Sequence, residues 1–204
     1  MENKIGNISS IENKDNIYVK SDNSPFGERF YFSEFFDEKA VKKFVKNTEK
    51  LIRGSREYKT YIELLRTNCN ALNKDNIQSN ITTQDVDLEF HHYPLSLYDI
   101  VEAVTYSAYA SNKKITTFSV AKEVMDLHYK HYIGLVPLTK TNHELAHLGA
   151  IFISSSEVFG DYNAFIAEYK NGMTQETLAK IKEMEKMSED VEAGKMSTDF
   201  KGLF

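Results

Sequence analysis

The chain has 204 residues, a formal net charge of −5 at neutral pH and 41% hydrophobic residues. This length and composition suit one globular domain with a buried core, and no apolar run approaches the roughly 18 to 20 residues that cross a bilayer. The negative charge gives no general argument for nucleic-acid binding, which would need a local basic face to neutralise phosphates.

The N-terminus and the cysteine content indicate the compartment. Residues 1–15 are polar and lack the apolar stretch of a signal peptide, and the single Cys69 cannot form an intramolecular disulfide. A lone thiol suits a reducing compartment. We therefore expect a cytoplasmic protein without a membrane partner.

Residues 1–30 are predicted to form an N-terminal arm, because they are rich in Asn, Ser, Asp and Lys. A basic helical hairpin is predicted over residues 31–70, with Asp37 capping its first helix and Ser55 its second. Between positions 37 and 59 there are eight basic and four acidic residues. This face either contacts a DNA backbone or is only a solvated helix surface. The candidate DNA-binding residues are Lys42, Lys43, Lys46, Lys50, Arg53 and Arg56.

The central part of the chain, residues 84–155, begins with an alternating strand. Apolar residues at 86, 88 and 90 alternate with polar ones, and the strand leads to His91 and His92 before Pro94 ends it. Two helices are predicted in the segment 96–131, the first capped by the Ser96 and Asp99 pair and the second by Thr117. A polar loop, residues 72–83, precedes the strand.

A second short strand, residues 135–138, follows Gly134 and leads into a helix. Thr141 and Glu144 resemble a capping box for this helix, which places His143 and His147 one turn apart on one face. Residues 156–204 are predicted to hold two further helices, ending near residue 187, and a polar tail. The fold class is therefore α+β and mainly helical, with about seven helices and two to four short strands.

All six histidines lie between positions 87 and 149. His143 and His147 satisfy the first requirement of a metal site, and His91 at the end of the neighbouring strand would complete a three-imidazole set. His92 alternates to the other face of the strand and would remain free to act as a base near neutral pH.

The segment Phe90-His91-His92-Tyr93-Pro94-Leu95, followed by Gly134-Leu135-Val136-Pro137-Leu138 and His143-x-x-x-His147, resembles the HNH endonucleases, also called His-Me finger or ββα-metal nucleases. The form with two adjacent histidines looks most like the nuclease domains of the DNase colicins and like HNH-like proteins of bacteriophages. The resemblance implies a ββα-metal core with helices inserted between its strands. It also implies that His91, His143 and His147 bind one divalent ion (Mg²⁺, Mn²⁺ or Zn²⁺) and that His92 activates water to hydrolyse DNA.

Two features depart from the HNH pattern. The middle asparagine of the motif would lie near position 134, where this chain has Gly134, and Asn142 is predicted in the first helical turn instead. The two strands are also separated by about 40 residues that carry the two inserted helices.

Several other residues are candidates for supporting roles. A carboxylate on the His91 face of the strand could orient a ligand imidazole. The N-terminus of the last core helix could bind phosphate. His128 and His131 precede the second strand and are candidates for ligand support, phosphate contact or plain surface positions. The supporting candidates are Glu89, His128, His131, Lys140 and Thr141.

The predicted function is thus a phage-type, metal-dependent HNH-like endonuclease that acts on double-stranded DNA in the host cytoplasm. The alternative is a catalytically degenerate His-Me domain, a phage factor that binds nucleic acid, a phage or host protein, or another copy of itself. In that alternative the metal is structural.

Overall fold

The computed structural model describes residues 29–194, so most of the predicted N-terminal arm and the end of the predicted tail lie outside the described residues. Within this range seven α-helices and four short strands are present, which confirms the mainly helical α+β class. The helices are α1 Glu38–Gly54, α2 Arg56–Asn68, α3 Leu97–Ala110, α4 Thr117–Tyr129, α5 Lys140–His147, α6 Tyr162–Tyr169 and α7 Gln175–Glu192. The strands are β1 Arg29–Phe30, β2 Glu89–His92, β3 Ile115–Thr116 and β4 Leu135–Leu138.

Helices α1 and α2 form the predicted hairpin. Asp37 caps α1 by accepting a hydrogen bond from the backbone N–H of Lys39, and Ser55 caps α2 through the N–H of Tyr58. Since Ser55 is extended, the chain turns sharply between the two helices. The apolar stripe of α1 then faces the core, where it buries Val41, Phe44, Val45, Thr48 and Ile52.

The main core lies between α1, α3 and α4. Its largest fully buried side chains include Phe44, Ile100 and Leu127. Strand β1 joins this core through Phe30, whose ring stacks on Phe44 with centroids 4.6 Å apart. β1 also pairs with β3 in an antiparallel two-stranded sheet, a long-range pairing that the sequence did not predict.

The second sheet carries the histidine-rich segment. Strands β2 and β4 pair antiparallel, with Glu89 opposite Leu138 and His92 opposite Leu135. Helices α3 and α4 lie between these two strands in sequence, as predicted for the insertion. Helix α5 follows β4 directly and contacts both strands, which gives a ββα arrangement.

The ββα element has a small core of its own, formed by Val136, Leu138 and Ile153. β4 is also bridged on its other side, where Leu135 exchanges backbone hydrogen bonds of 2.9 Å with Phe159. β4 is therefore the central strand of the element, and this explains why all four of its residues are buried.

The cap of α3 is as predicted, since Ser96 and Asp99 form a reciprocal capping box. The predicted cap of α4 was one residue late, because Thr116 rather than Thr117 accepts the helical N–H, from Ser119.

The last helix ends later than predicted. Helix α7 continues past residue 187 to Glu192, because Ser188 is buried and its hydroxyl accepts a hydrogen bond of 3.1 Å from the N–H of Ser155. Among residues 29–194, no helix is long and apolar enough to cross a membrane.

Candidate metal centre

Three histidines converge where β2 meets α5. His91 lies on β2, and His143 and His147 lie one turn apart on α5. Each offers a ring nitrogen, and these three atoms all lie within 4.8 Å of one another. The ring centroids are 4.7 to 5.0 Å apart. Because tetrahedral ligands about 2.1 Å from a zinc ion lie roughly 3.4 Å from each other, small side-chain rotations would bring all three into one coordination sphere.

The two adjacent histidines of β2 point in opposite directions, since side chains alternate along a strand. His91 is half-buried next to α5, whereas His92 is 5% exposed and enters the main core. There its Nε2 lies 3.2 Å from the Nε2 of His128 on α4, and Tyr58 of α2 stacks over its ring with centroids 6.2 Å apart.

The tautomers of this buried pair follow from its partners. The carbonyl of Val124, 2.7 Å from Nδ1 of His128, can only accept, so this Nδ1 donates. Nε2 of His128 is then an acceptor, and Nε2 of His92 donates to it. The prediction that His92 is a free base is therefore wrong: its ring is buried and serves to join β2 to α4. His128 contacts His92 rather than any of the three clustered histidines.

Burial favours the neutral form of two imidazoles of the cluster, His91 and His147. Burial and the neighbouring His143 and His147 lower the pKa of His91 to about 4. The pKa of His147 is lowered as well, first by burial and then by His143. Metal ions bind neutral imidazole, so these shifts favour metal binding at neutral pH.

The buried histidines make stability depend on pH in the metal-free protein. Burial lowers the pKa of His128 to about 4 and that of His92 well below its ordinary value. An unfolded histidine binds its proton near pH 6.5, so below that pH the unfolded chain binds more protons than the folded one. We expect the free energy of unfolding to fall as the pH drops from about 7 to about 5, measured by urea unfolding with a chelator present. Equal values at the two pH values would contradict the burial of neutral imidazoles.

Glu89 lies on the His91 side of β2, and its carboxylate contacts Nδ1 of His143. Asp87, two residues before Glu89, is exposed and lies outside β2. Of the supporting candidates, Glu89 is therefore in contact with a histidine of the cluster.

Helix α5 is held in place by Asp75, a residue that sequence reasoning missed. Asp75 is fully buried and accepts hydrogen bonds from the backbone N–H groups of Ile77, Gln78 and Thr139. The side-chain amide of Asn142 donates to both of its oxygens, at 3.0 and 3.1 Å. The loop before β2 is thereby fastened to the start of α5. The polar composition of residues 72–83 gave no sign that their single acid is buried.

The true N-cap of α5 is Thr139, whose hydroxyl accepts from the N–H of Asn142. The predicted cap Thr141 was therefore wrong, and it lies exposed in the first turn beside Lys140.

His131 is also exposed; it has a left-handed backbone with φ 57° and packs against Phe159, with centroids 5.3 Å apart. None of Lys140, Thr141 and His131 belongs to the histidine cluster, and a phosphate contact by them stays a prediction.

Gly134 explains why the HNH asparagine is missing. A Cβ atom at this position would lie 2.0 Å from the carbonyl oxygen of Tyr93 and 2.8 Å from a methyl carbon of Val158. The backbone approaches too closely here for any larger residue.

The six basic residues predicted to contact DNA are exposed along α1 and at the start of α2. Lys42 pairs with Glu38 and Arg53 with Glu49, in each case an acid of the same helix. DNA binding by this face stays a prediction.

The fold and the cluster define a mainly helical α+β protein with a candidate metal-binding ββα element. A family model described as "Bacteriophage G278-like virion protein" matches residues 1–203, so the chain belongs to this family. No significant match was found among curated proteins or among solved structures.

This membership overturns the predicted activity. The chain belongs to a family of phage particle proteins, and nothing in the comparisons indicates an HNH endonuclease. The predictions of an endonuclease, of a hydrolase and of His92 as its catalytic base were therefore wrong. The bacteriophage origin is supported. The resemblance to the HNH motif has its counterpart in the ββα arrangement and the clustered histidines, which specify a local fold but not a reaction.

Proposed function

We propose that the protein is a structural component of a bacteriophage particle, and that its three-histidine cluster binds a divalent transition metal ion that stabilises the ββα element. Membership of a virion protein family over residues 1–203 supports the first part. The observation that carries the second is the convergence of three ligand nitrogens within 4.8 Å.

The ligand type selects the class of metal. Imidazole nitrogen suits zinc and its neighbours among the transition metals, whereas Mg²⁺ prefers carboxylate, carbonyl and water oxygens. Zn²⁺ is therefore the ion that this donor set fits best among the three considered from the sequence. Three protein ligands leave one tetrahedral position for water or for a group from another molecule.

The position of the ligands gives the metal a structural role. His91 belongs to β2 and the other two to α5, and about 50 residues separate the strand from the helix along the chain. An ion bound to all three would cross-link the first strand of the element to its helix, so its binding energy would add to folding stability.

Presence in the particle tests the structural role. Particles of the phage that encodes this chain would be purified through a density gradient, washed in high salt and analysed by quantitative mass spectrometry. We expect the protein in a fixed copy number per particle. Its presence in infected cells but absence from purified particles would contradict the proposal.

Zinc is expected to raise the stability of the wild-type protein. At a free concentration about 100 times its Kd, a ligand that binds only the folded state adds about 2.7 kcal/mol to the free energy of unfolding. The measurement is urea unfolding with and without Zn²⁺, with the Kd determined by competition with a chromophoric chelator. Mg²⁺ at the same concentration is expected to have little effect.

Two matched histidine variants control this experiment. His147→Asn removes an exposed ligand and is expected to abolish most of the zinc effect. His131→Asn changes an exposed histidine outside the cluster, where asparagine tolerates the left-handed backbone, and is expected to keep the effect. An equal response of both variants to zinc would rule out the cluster as the binding site.

A further inference from the structure

Strand β2 presents a carboxylate as well as a ligand to α5. Side chains two residues apart lie on the same face of a strand, so Glu89 and His91 share the face that α5 covers. The Glu89 carboxylate contacts Nδ1 of His143, which is a neighbour of His91 in the cluster.

This contact decides which nitrogen of His143 is available. An ionised carboxylate can only accept a hydrogen bond, so Nδ1 of His143 carries the proton and donates it. A metal ion binds only the neutral form of the ring, and the lone pair of that form is then on Nε2. The ring is held in one tautomer and one orientation by a partner on the neighbouring strand.

We infer that Glu89 is a positioning residue of the metal site, fixing His143 with Nε2 as its ligand atom before the ion arrives. This inference rests on the proposed metal binding. Metal-bound histidines commonly donate their other N–H to a carboxylate, which orients the ring and raises its basicity. The negative charge of Glu89 also offsets part of the charge that a divalent ion brings to three neutral imidazoles.

An ordinary surface ion pair would look similar but behave differently. The side chains of Glu89 and His143 are 45% and 22% exposed, and pairs this accessible to water contribute little to folding stability. If Glu89 and His143 formed only a surface ion pair, removing the carboxylate would leave metal affinity unchanged. A positioning residue would change metal affinity far more than the stability of the metal-free protein.

The test compares Glu89→Gln and Glu89→Ala with Asp87→Asn, which removes a nearby exposed carboxylate outside β2. Zinc affinity is measured by chelator competition, and the visible spectrum of bound Co²⁺ reports the ligand geometry. Loss of the outer carboxylate is expected to weaken Zn²⁺ binding about 10- to 100-fold. Glu89→Ala should weaken it at least as much as Glu89→Gln, since the amide still accepts a hydrogen bond. Both Glu89 variants should change the Co²⁺ spectrum, and urea unfolding of the metal-free proteins should change little.

The outcomes separate the two proposals. If Glu89→Gln binds zinc as wild type does with an unchanged Co²⁺ spectrum, or if Asp87→Asn weakens binding equally, the role of Glu89 is overturned while the metal site stands. If wild-type protein binds neither ion, the metal site itself is overturned, and the role of Glu89 with it.

Discussion

Replacing Asp75 with asparagine is expected to lower the free energy of unfolding by about 3 to 5 kcal/mol. Asp75 is fully buried, and its two oxygens accept from the N–H groups of Ile77, Gln78 and Thr139 and from the amide of Asn142. Asparagine has the same shape but one acceptor oxygen fewer, and its NH₂ group would point at donors. Buried N–H groups without an acceptor are costly, at about 1 to 3 kcal/mol each. Urea unfolding of the metal-free protein measures the loss.

Asp85→Asn is the matched control, because it makes the same chemical change at an exposed site in the same segment before β2. Asp85 accepts hydrogen bonds of 2.9 Å from the N–H and the hydroxyl of Thr82, and these bonds hold the pKa of its carboxyl below the usual value. Water can replace them, so we expect a much smaller loss than for Asp75→Asn. Similar losses for the two variants would show that burial of Asp75 does not fasten α5.

The helices were predictable because their signals are local. Asp37, Ser55 and the Ser96–Asp99 box cap α1, α2 and α3 as the sequence predicted. A capping side chain accepts a hydrogen bond from an N–H only two or three residues later in the chain. It needs no distant partner, so the local sequence pattern is enough to predict the cap. The caps of α4 and α5 were misplaced where hydroxyl residues recur within two positions, and three-dimensional contacts choose between them. For α5 that contact is the bond from the N–H of Thr139 to Asp75.

The convergence of His91, His143 and His147 was also predictable, since helical and strand periodicities state which face each side chain occupies. The same alternation predicted that His92 points away from the cluster. The partner of His92 on the other face of β2 was not predictable, because it is His128 of α4, which lies 36 residues later in the chain. The chemical state of His92 is therefore a property of the tertiary structure, and a base inferred from its type alone was wrong.

The function could not be predicted from the motif, for a different reason. Two strands, a helix and three histidines are consistent with a nuclease site, a structural metal site or a simple packing element. His92, the presumed base, is buried in the core. The finding that overturned the nuclease prediction, however, was membership of a virion protein family. Membership of that family cannot be recognised from the spacing of the histidines.

Replacing Gly134 with alanine is expected to lower the free energy of unfolding by about 3 kcal/mol or more. The added Cβ would lie 2.0 Å from the carbonyl oxygen of Tyr93, well inside contact distance. The neighbouring backbone cannot easily withdraw, because the N–H of Tyr93 donates to the carbonyl of Gly134 and the next pair, His92 and Leu135, is already within the sheet. The clash would therefore separate β2 from β4 at the end nearest the inserted helices. Urea unfolding measures the loss, and hydrogen exchange of the β2 and β4 amides locates it.

Gly54→Ala provides the control, since a Cβ at the last residue of α1 would meet nothing within 4 Å. Alanine in a helix is favoured over glycine by roughly 0.5 to 1 kcal/mol, so this variant should be as stable as wild type or slightly more stable. Gly134→Asn, which restores the residue type of the HNH motif, should be at least as destabilised as Gly134→Ala, because the clash arises at Cβ. A stable Gly134→Asn protein would show that the strand end can open, and that the close approach of Tyr93 does not explain the glycine.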